Sequence, residues 1–339
     1  MDVFSTAKIG SMEVSNRIVM PPMCMYVAEN DGKVNEFHLA HYAARALGGV
    51  GLIIVEATGI SPEGRISAND LGLWSDDQVP GMKELVDRCH ALGAKIAIQL
   101  GHAGRKCEVS DLEHVAPSAI DFAPDEYPLA RAMDRDDIKK VVQDFVAAAK
   151  RADRAGFDGI EIHAAHGYLL HEFLSPLSNE RTDEYGGATK GRVKLLREVV
   201  DGVRSVLSKD KPLWIRVSAT DHSEGGLELE ESVRIIDMVK DQLDAVHVSS
   251  GGLITVPIHL FNGYQVQYAE RIRESSGLPV ITVGLIDSFE LVQNIVEDGR
   301  ADFVALGRAL LRDPFWFQRA AAGRKKYELI PEAYHRGWK

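Results

Sequence analysis

Along this chain, short runs of β-branched and other apolar residues alternate with longer segments whose apolar positions recur every three to four residues. RIVM (17–20) precedes FHLAHYAARAL, and GLIIVEA (51–57) precedes GMKELVDRCHAL. KIAIQL (95–100) is followed, after a loop, by DDIKKVVQDFVAAAKRADRAG. GIEIH (159–163), LWIRVSA (213–219), AVHVSS (245–250), PVITVG (279–284) and FVALG (303–307) each lead into a helix-period segment in the same way. Eight strand–helix units result. Strict alternation implies parallel strands covered by helices, because a parallel pair needs a crossover connection. The pattern predicts an α/β fold, a closed (β/α)8 TIM barrel forming one domain over residues 1–339. A doubly wound open sheet also takes eight units, but no G-x-G-x-x-G follows the first strand.

The loops after strand 3 (about 101–133) and strand 4 (164–190) are long. Both lie on the C-terminal face, where barrels of this kind build their sites. Position also separates two stretches with the same H-x-x-H spacing. His38 and His41 fall on the first helix amid apolar residues, as packing or capping groups. His163 ends strand 4 and His166 begins its loop, with Tyr168 two positions on. Alternation in GIEIH points Ile160 and Ile162 toward the helices and Glu161 and His163 into the barrel. Glu161 either orients His163 from below or pairs with a basic neighbour as a structural group. Cys24 follows strand 1, Gln99 closes strand 3, and Arg216 shares the inward parity of Trp214 and Ser218. Gly284 and Gly307, after strands 7 and 8, stand where barrels commonly cradle a phosphate. A phosphate cradle, an arginine and an amide suit a phosphorylated planar cofactor. With no lysine in an obvious Schiff-base position, flavin mononucleotide is favoured over pyridoxal phosphate.

Charge narrows the partners. The chain has 39 Lys and Arg against 50 Asp and Glu, a net charge of -11. It has no basic block, so no nucleic acid and no anionic membrane surface is expected as a partner. The first residues have no signal-peptide pattern and no apolar run reaches bilayer length, so the cytoplasm is the expected location. Cys24, Cys89 and Cys107 form no C-x-x-C pair and are read as free thiols.

Several segments together resemble the Old Yellow Enzyme family of flavin-dependent ene-reductases, in its thermophilic-like (YqjM-type) class. They include NRIVMPPMCMY, IQLGHAGRK, GFDGIEIHAAHGYLLHEFLSPLSNERTDEYGG, IRVSA, VGLI, LGRALLRDP and HRGW. The resemblance implies an FMN-dependent NAD(P)H oxidoreductase that reduces the C=C bond of enones, enals, maleimides or nitro compounds. His163 and His166 would donate hydrogen bonds to the substrate oxygen, stabilising the charge that develops as flavin N5 delivers hydride. Tyr168 would protonate the adjacent carbon. Pro21, Pro22, Met23 and Cys24 would line the flavin, Ala57 and Gln99 contact its ring, and Arg216 face its N1/O2 edge. Gly284, Gly307 and Arg308 would hold the phosphate, and Tyr26 would contact substrate. The class also implies a homodimer or homotetramer, with the tail 324–339 at a subunit interface and Arg336 reaching a neighbouring site. Taken alone, a terminal arginine is more often solvated. Without the iron-sulfur extension of larger relatives, electrons are expected from NADPH or NADH binding in turn to the same pocket. Two other readings remain at this point: a metal-dependent hydrolase using Glu161, His163 and His166, and a flavin-binding redox sensor signalling through Cys24.

Overall fold

The computed structural model describes residues 1–338. Eight parallel strands close into a barrel: β1 (Ile18–Met20), β2 (Leu52–Gly59), β3 (Lys95–Gly101), β4 (Gly159–Ala164), β5 (Leu213–Ser218), β6 (Ala245–Ser249), β7 (Val280–Thr282) and β8 (Phe303–Ala305). Each follows its neighbour in chain order, and β8 returns to pair with β1, Val304 opposite Ile18. This is the predicted (β/α)8 barrel. Eight helices cover it: α1 (Glu36–Leu47), α2 (Val79–Ala91), α3 (Arg135–Ala155), α4 (Lys194–Val206), α5 (Leu229–Asp237), α6 (Val266–Ser276), α7 (Phe289–Glu297) and α8 (Trp316–Gly323).

Local sequence sets the ends of these elements. Asp134 caps α3 by accepting from the Asp136 and Asp137 N–H groups, and the helix stops at Gly156, whose φ of 95° favours glycine. Strand alternation divides the core into two layers. Ile53, Val55, Ile160, Ile162 and Ile215 pack outward against the helices, while Leu52, Ile54, Ala97, Trp214 and Phe303 fill the barrel interior.

Several features lie outside the eightfold pattern. An antiparallel hairpin, Ala7–Ile9 with Met12–Val14, adds Ile9, Met12 and Val14 to the interior layer. The loop after β3 carries a short parallel pair, Val115–Ala116 with Arg131–Ala132. Two short helices, Leu169–Leu174 and Gly307–Arg312, start just beyond the ends of β4 and β8. No helix among the described residues is long and apolar enough to cross a membrane.

Candidate active site

The barrel's C-terminal mouth opens into a cleft of about 450 Å³. Among its lining residues are seven of those named in the sequence analysis: Pro21, Pro22, Met23, Arg216, Gly284, Gly307 and Arg308. A smaller cavity beside it is lined by Ala57, His163 and Tyr168. Cys24 packs near Ala57 and Tyr168 around a cluster formed by Ile66, Ala103, Cys107 and Val109.

The loop after β1 is held from below. Met25 N–H donates to Glu56 Oε2 at 2.7 Å, and Tyr42 O–H donates to Glu56 Oε1 at 3.1 Å. Glu56 can face helix α1 because β2 carries a bulge between Val55 and Thr58. The bulge reverses the strand's alternation, turning Glu56 outward to Tyr42 and Ala57 toward the cavity. Burial pushes the Glu56 carboxyl up to about 7. It also pushes the Cys24 thiol up, reinforced by the charges of Asp70 and Glu56. A redox-sensing thiol needs the opposite shift, so Cys24 does not fit that reading.

His163 and His166 are brought together by a left-handed turn. His166 has φ 61° and Gly167 φ 74°, and the turn lies hard against the loop after β6. A Cβ on Gly167 would meet the Gly252 carbonyl at 2.3 Å, so only glycine fits there. Lys106 Nζ bridges the two segments, donating to the carbonyls of His166 and Gly252. The His166 N–H donates to Ser218 Oγ at 3.0 Å.

In this arrangement His163 Nε2 and His166 Nδ1 stand 3.4 Å apart, and His166 Nε2 lies 2.8 Å from Ser249 Oγ. Burial, with the nearby Arg216 charge, holds both imidazoles well below the usual histidine range, so they are neutral at pH 7. Tyr168 packs edge-on against His163, ring centroids 4.9 Å apart. Burial, then Cys24 and Tyr26, drives its phenol up, so it keeps its proton.

Glu161 does not touch His163. Its carboxylate accepts from Gln99 Nε2 at 2.7 Å and Trp214 Nε1 at 2.6 Å, and lies 2.7 Å from His247 Nδ1. The orienting role offered by the sequence is therefore corrected to the structural alternative: Glu161 organises a buried polar layer under the site. The same bonds remove it from any His2Glu metal set. Among the described residues no group of three or more His, Cys, Asp or Glu could hold a metal ion.

The cleft suits a phosphorylated flavin. Arg216 is a buried guanidinium lining the cleft, and its Nε has no partner among the described residues, an orphaned donor for an electron-rich ring edge. At the far end Gly284 has φ 130°, and Gly307 and Arg308 begin a helix whose first N–H groups have no intrahelical acceptor. Gln99 lines neither cavity, but its amide lies one layer below through Glu161. Tyr26 is 48% exposed, has φ 54° and lines neither cavity. Arg336 sits on an exposed turn, Glu332–Gly337, and lines neither cavity of its own chain. Of the tail 324–339, Lys339 lies outside the described residues.

Several lining or supporting residues were not singled out from sequence. Ser249 and Gln265 border the cleft, Lys106 locks the histidine turn, and Glu56 holds the β1 loop. Ser249 was accessible by parity alone, because His247 and Ser249 alternate inward on β6. The others depend on loop paths or on the bulge.

Comparison with known proteins places the chain in a family. Residues 2–327 match the model of the NADH:flavin oxidoreductase / NADH oxidase family. The chain is 49% identical to an NADPH dehydrogenase of Clostridium acetobutylicum, over 100% of both chains. It is 48% identical to an NADPH dehydrogenase of Bacillus subtilis, covering 99% of each. Among solved structures it resembles a morphinone reductase, with TM-score 0.83 and 31% identity over 95% of this chain and 90% of that one. It also resembles an Old Yellow Enzyme homologue from Zymomonas mobilis, with TM-score 0.84 and 32% identity over 98% and 94%.

Proposed function

Since this chain belongs to the NADH:flavin oxidoreductase / NADH oxidase family and is an FMN-dependent, NADPH dehydrogenase-type oxidoreductase, we propose that it reduces the C=C bond of α,β-unsaturated carbonyl or nitro compounds. Enones, enals, maleimides and nitroalkenes are the substrate classes. When bound, FMN would supply hydride chemistry to the alkene, with NADPH or NADH as the electron donor in the same pocket.

The chain's own residues do the rest. His163 and His166 donate to the substrate oxygen, and their two donors stabilise the negative charge that accumulates there. Tyr168, protonated and beside His163, delivers a proton to the carbon next to the carbonyl. Arg216 favours the electron-rich edge of the cofactor ring. Pro21, Pro22, Met23, Cys24, Ala57 and Gln99 shape its surroundings, and Gly284, Gly307 and Arg308 receive its phosphate. Tyr26 serves as a substrate contact.

The observation that carries this reading is the convergence of two neutral imidazoles, their nitrogens 3.4 Å apart, with a protonated phenol packed against one of them. A carbonyl oxygen can meet both nitrogens at ordinary hydrogen-bond lengths of about 2.8–3.0 Å. The net charge of -11 fits a small-molecule enzyme of the cytoplasm. The exposed Glu332–Gly337 turn fits a homodimer or homotetramer in which Arg336 serves a neighbouring site.

The test is Tyr168→Phe. Reoxidation of the reduced enzyme by 2-cyclohexenone should slow by about 10²–10⁴-fold while reduction by NADPH stays nearly intact. Equal loss in both half-reactions would remove Tyr168 from the role of proton donor.

A further inference from the structure

The site's hydrogen bonds form one ordered chain, and its direction conflicts with the task just proposed. A backbone N–H can only donate, so the Ala165 N–H, 3.3 Å from His163 Nδ1, leaves that nitrogen bare. Neutral His163 therefore carries its proton on Nε2, which faces His166 Nδ1 at 3.4 Å. His166 Nδ1 must then be the acceptor, and the His166 proton lies on Nε2, donating to Ser249 Oγ at 2.8 Å. The Ser249 O–H in turn donates to Gln265 Oε1 at 3.3 Å. In this state only His163 has an N–H directed at the space between the two rings.

Ser249 is the group that can reverse the order. A hydroxyl donates or accepts, and turning the Ser249 O–H toward His166 Nε2 makes that nitrogen an acceptor. The His166 proton then resides on Nδ1, beside His163 Nε2–H. The change is charge-neutral: one proton leaves Nε2 and one arrives at Nδ1 by exchange with water. Gln265 tolerates the loss of the Ser249 bond. Its Oε1 still accepts from Ser250 Oγ at 2.8 Å, and its Nε2 still donates to the Val283 carbonyl at 3.0 Å, which keeps the amide from flipping.

Resting on the reading of His163 and His166 as donors to the substrate oxygen, we propose that Ser249 is a positioning residue that sets the tautomer of His166. With the site empty, Ser249 accepts from His166 Nε2–H. With a carbonyl oxygen present, Ser249 donates to Nε2 and fixes the Nδ1–H form, so both imidazoles donate to one oxygen.

The experiment uses the oxidised holoenzyme with ¹⁵N-labelled histidine, whose nitrogen shifts separate protonated from bare ring nitrogens, with 2-cyclohexenone as the probe. Without the enone, His166 should show a protonated Nε2; with saturating enone, a protonated Nδ1 and a bare Nε2. In Ser249→Ala no group is left to donate to Nε2, so the share of His166 in the Nδ1–H form at saturating enone should fall, weakening enone binding with it. Ser249→Thr, which retains the hydroxyl, should restore most of that loss. FMN content of each variant, read from its absorbance, separates weakened enone binding from loss of cofactor, and the wild-type spectra decide the matter even if a variant sheds FMN. If the enone shifts both histidines but His166 keeps its proton on Nε2, the Ser249 inference is overturned and the carbonyl site stands. If the enone perturbs neither His163 nor His166, the carbonyl site itself is wrong and the inference falls with it.

Discussion

His38 and His41 lie three residues apart on α1, while His163 and His166 lie three apart where β4 gives way to its loop. On the helix, His38 Nδ1 accepts from the Asn35 N–H and completes a capping box, and His41 contacts Arg45 and stacks on Phe37. At the strand end, the left-handed turn at His166 folds the second ring back until the two rings face each other. Burial keeps all four imidazoles neutral at pH 7; it lowers His38 and His41 to about 4. Neutrality and spacing are therefore shared by both pairs. What differs is where the remaining nitrogens point: for the first pair into the buried helix–barrel seam, where His38 Nε2 and His41 Nε2 make no hydrogen bond, and for the second toward each other, with His163 lining a cavity and His166 Nε2 on Ser249, a residue of the cleft.

That contrast has measurable consequences. His166→Ala should slow flavin reoxidation by an enone by about 10²–10³-fold, the range for losing one donor to a developing oxyanion. His41→Ala should leave the same rate within about twofold and reduce unfolding stability by about 1–3 kcal/mol. Comparable kinetic losses in the two variants would dissolve the distinction between the pairs. A smaller effect is expected from deleting residues 334–339: KM for the enone should rise up to about tenfold, the size of one charge-assisted contact, together with a shift in oligomeric state. Unchanged affinity and flavin spectra would end the proposed role of Arg336.

The barrel was legible because parallel strands and covering helices leave opposite periodicities in the chain, and all eight strands fall within the runs expected or a residue or two beyond them. The inward parity of Glu161, His163 and Arg216 was legible for the same reason. Alternation does not say what an inward carboxylate bonds to, which is why Glu161 stayed open between orienting His163 and a structural pairing. Its partners Gln99, Trp214 and His247 come from three other strands, and their registry follows from barrel closure. Ala57 faces the cavity only through the β2 bulge, a break in the very alternation used to read the strands. The N-terminal hairpin was missed because three-residue strands are too short for a periodic signal. Lys106 was missed as a clamp because its acceptors are backbone carbonyls, which side-chain patterns do not reveal.

The most direct test of the account is the visible spectrum of the purified holoenzyme under anaerobic conditions, followed through addition of NADPH and then of 2-cyclohexenone. The account predicts a flavin band that bleaches with NADPH and returns in full with the enone. A flavin that bleaches with NADPH and stays bleached with the enone, a maleimide and a nitroalkene would contradict the assigned substrate class and the roles given to His163, His166 and Tyr168.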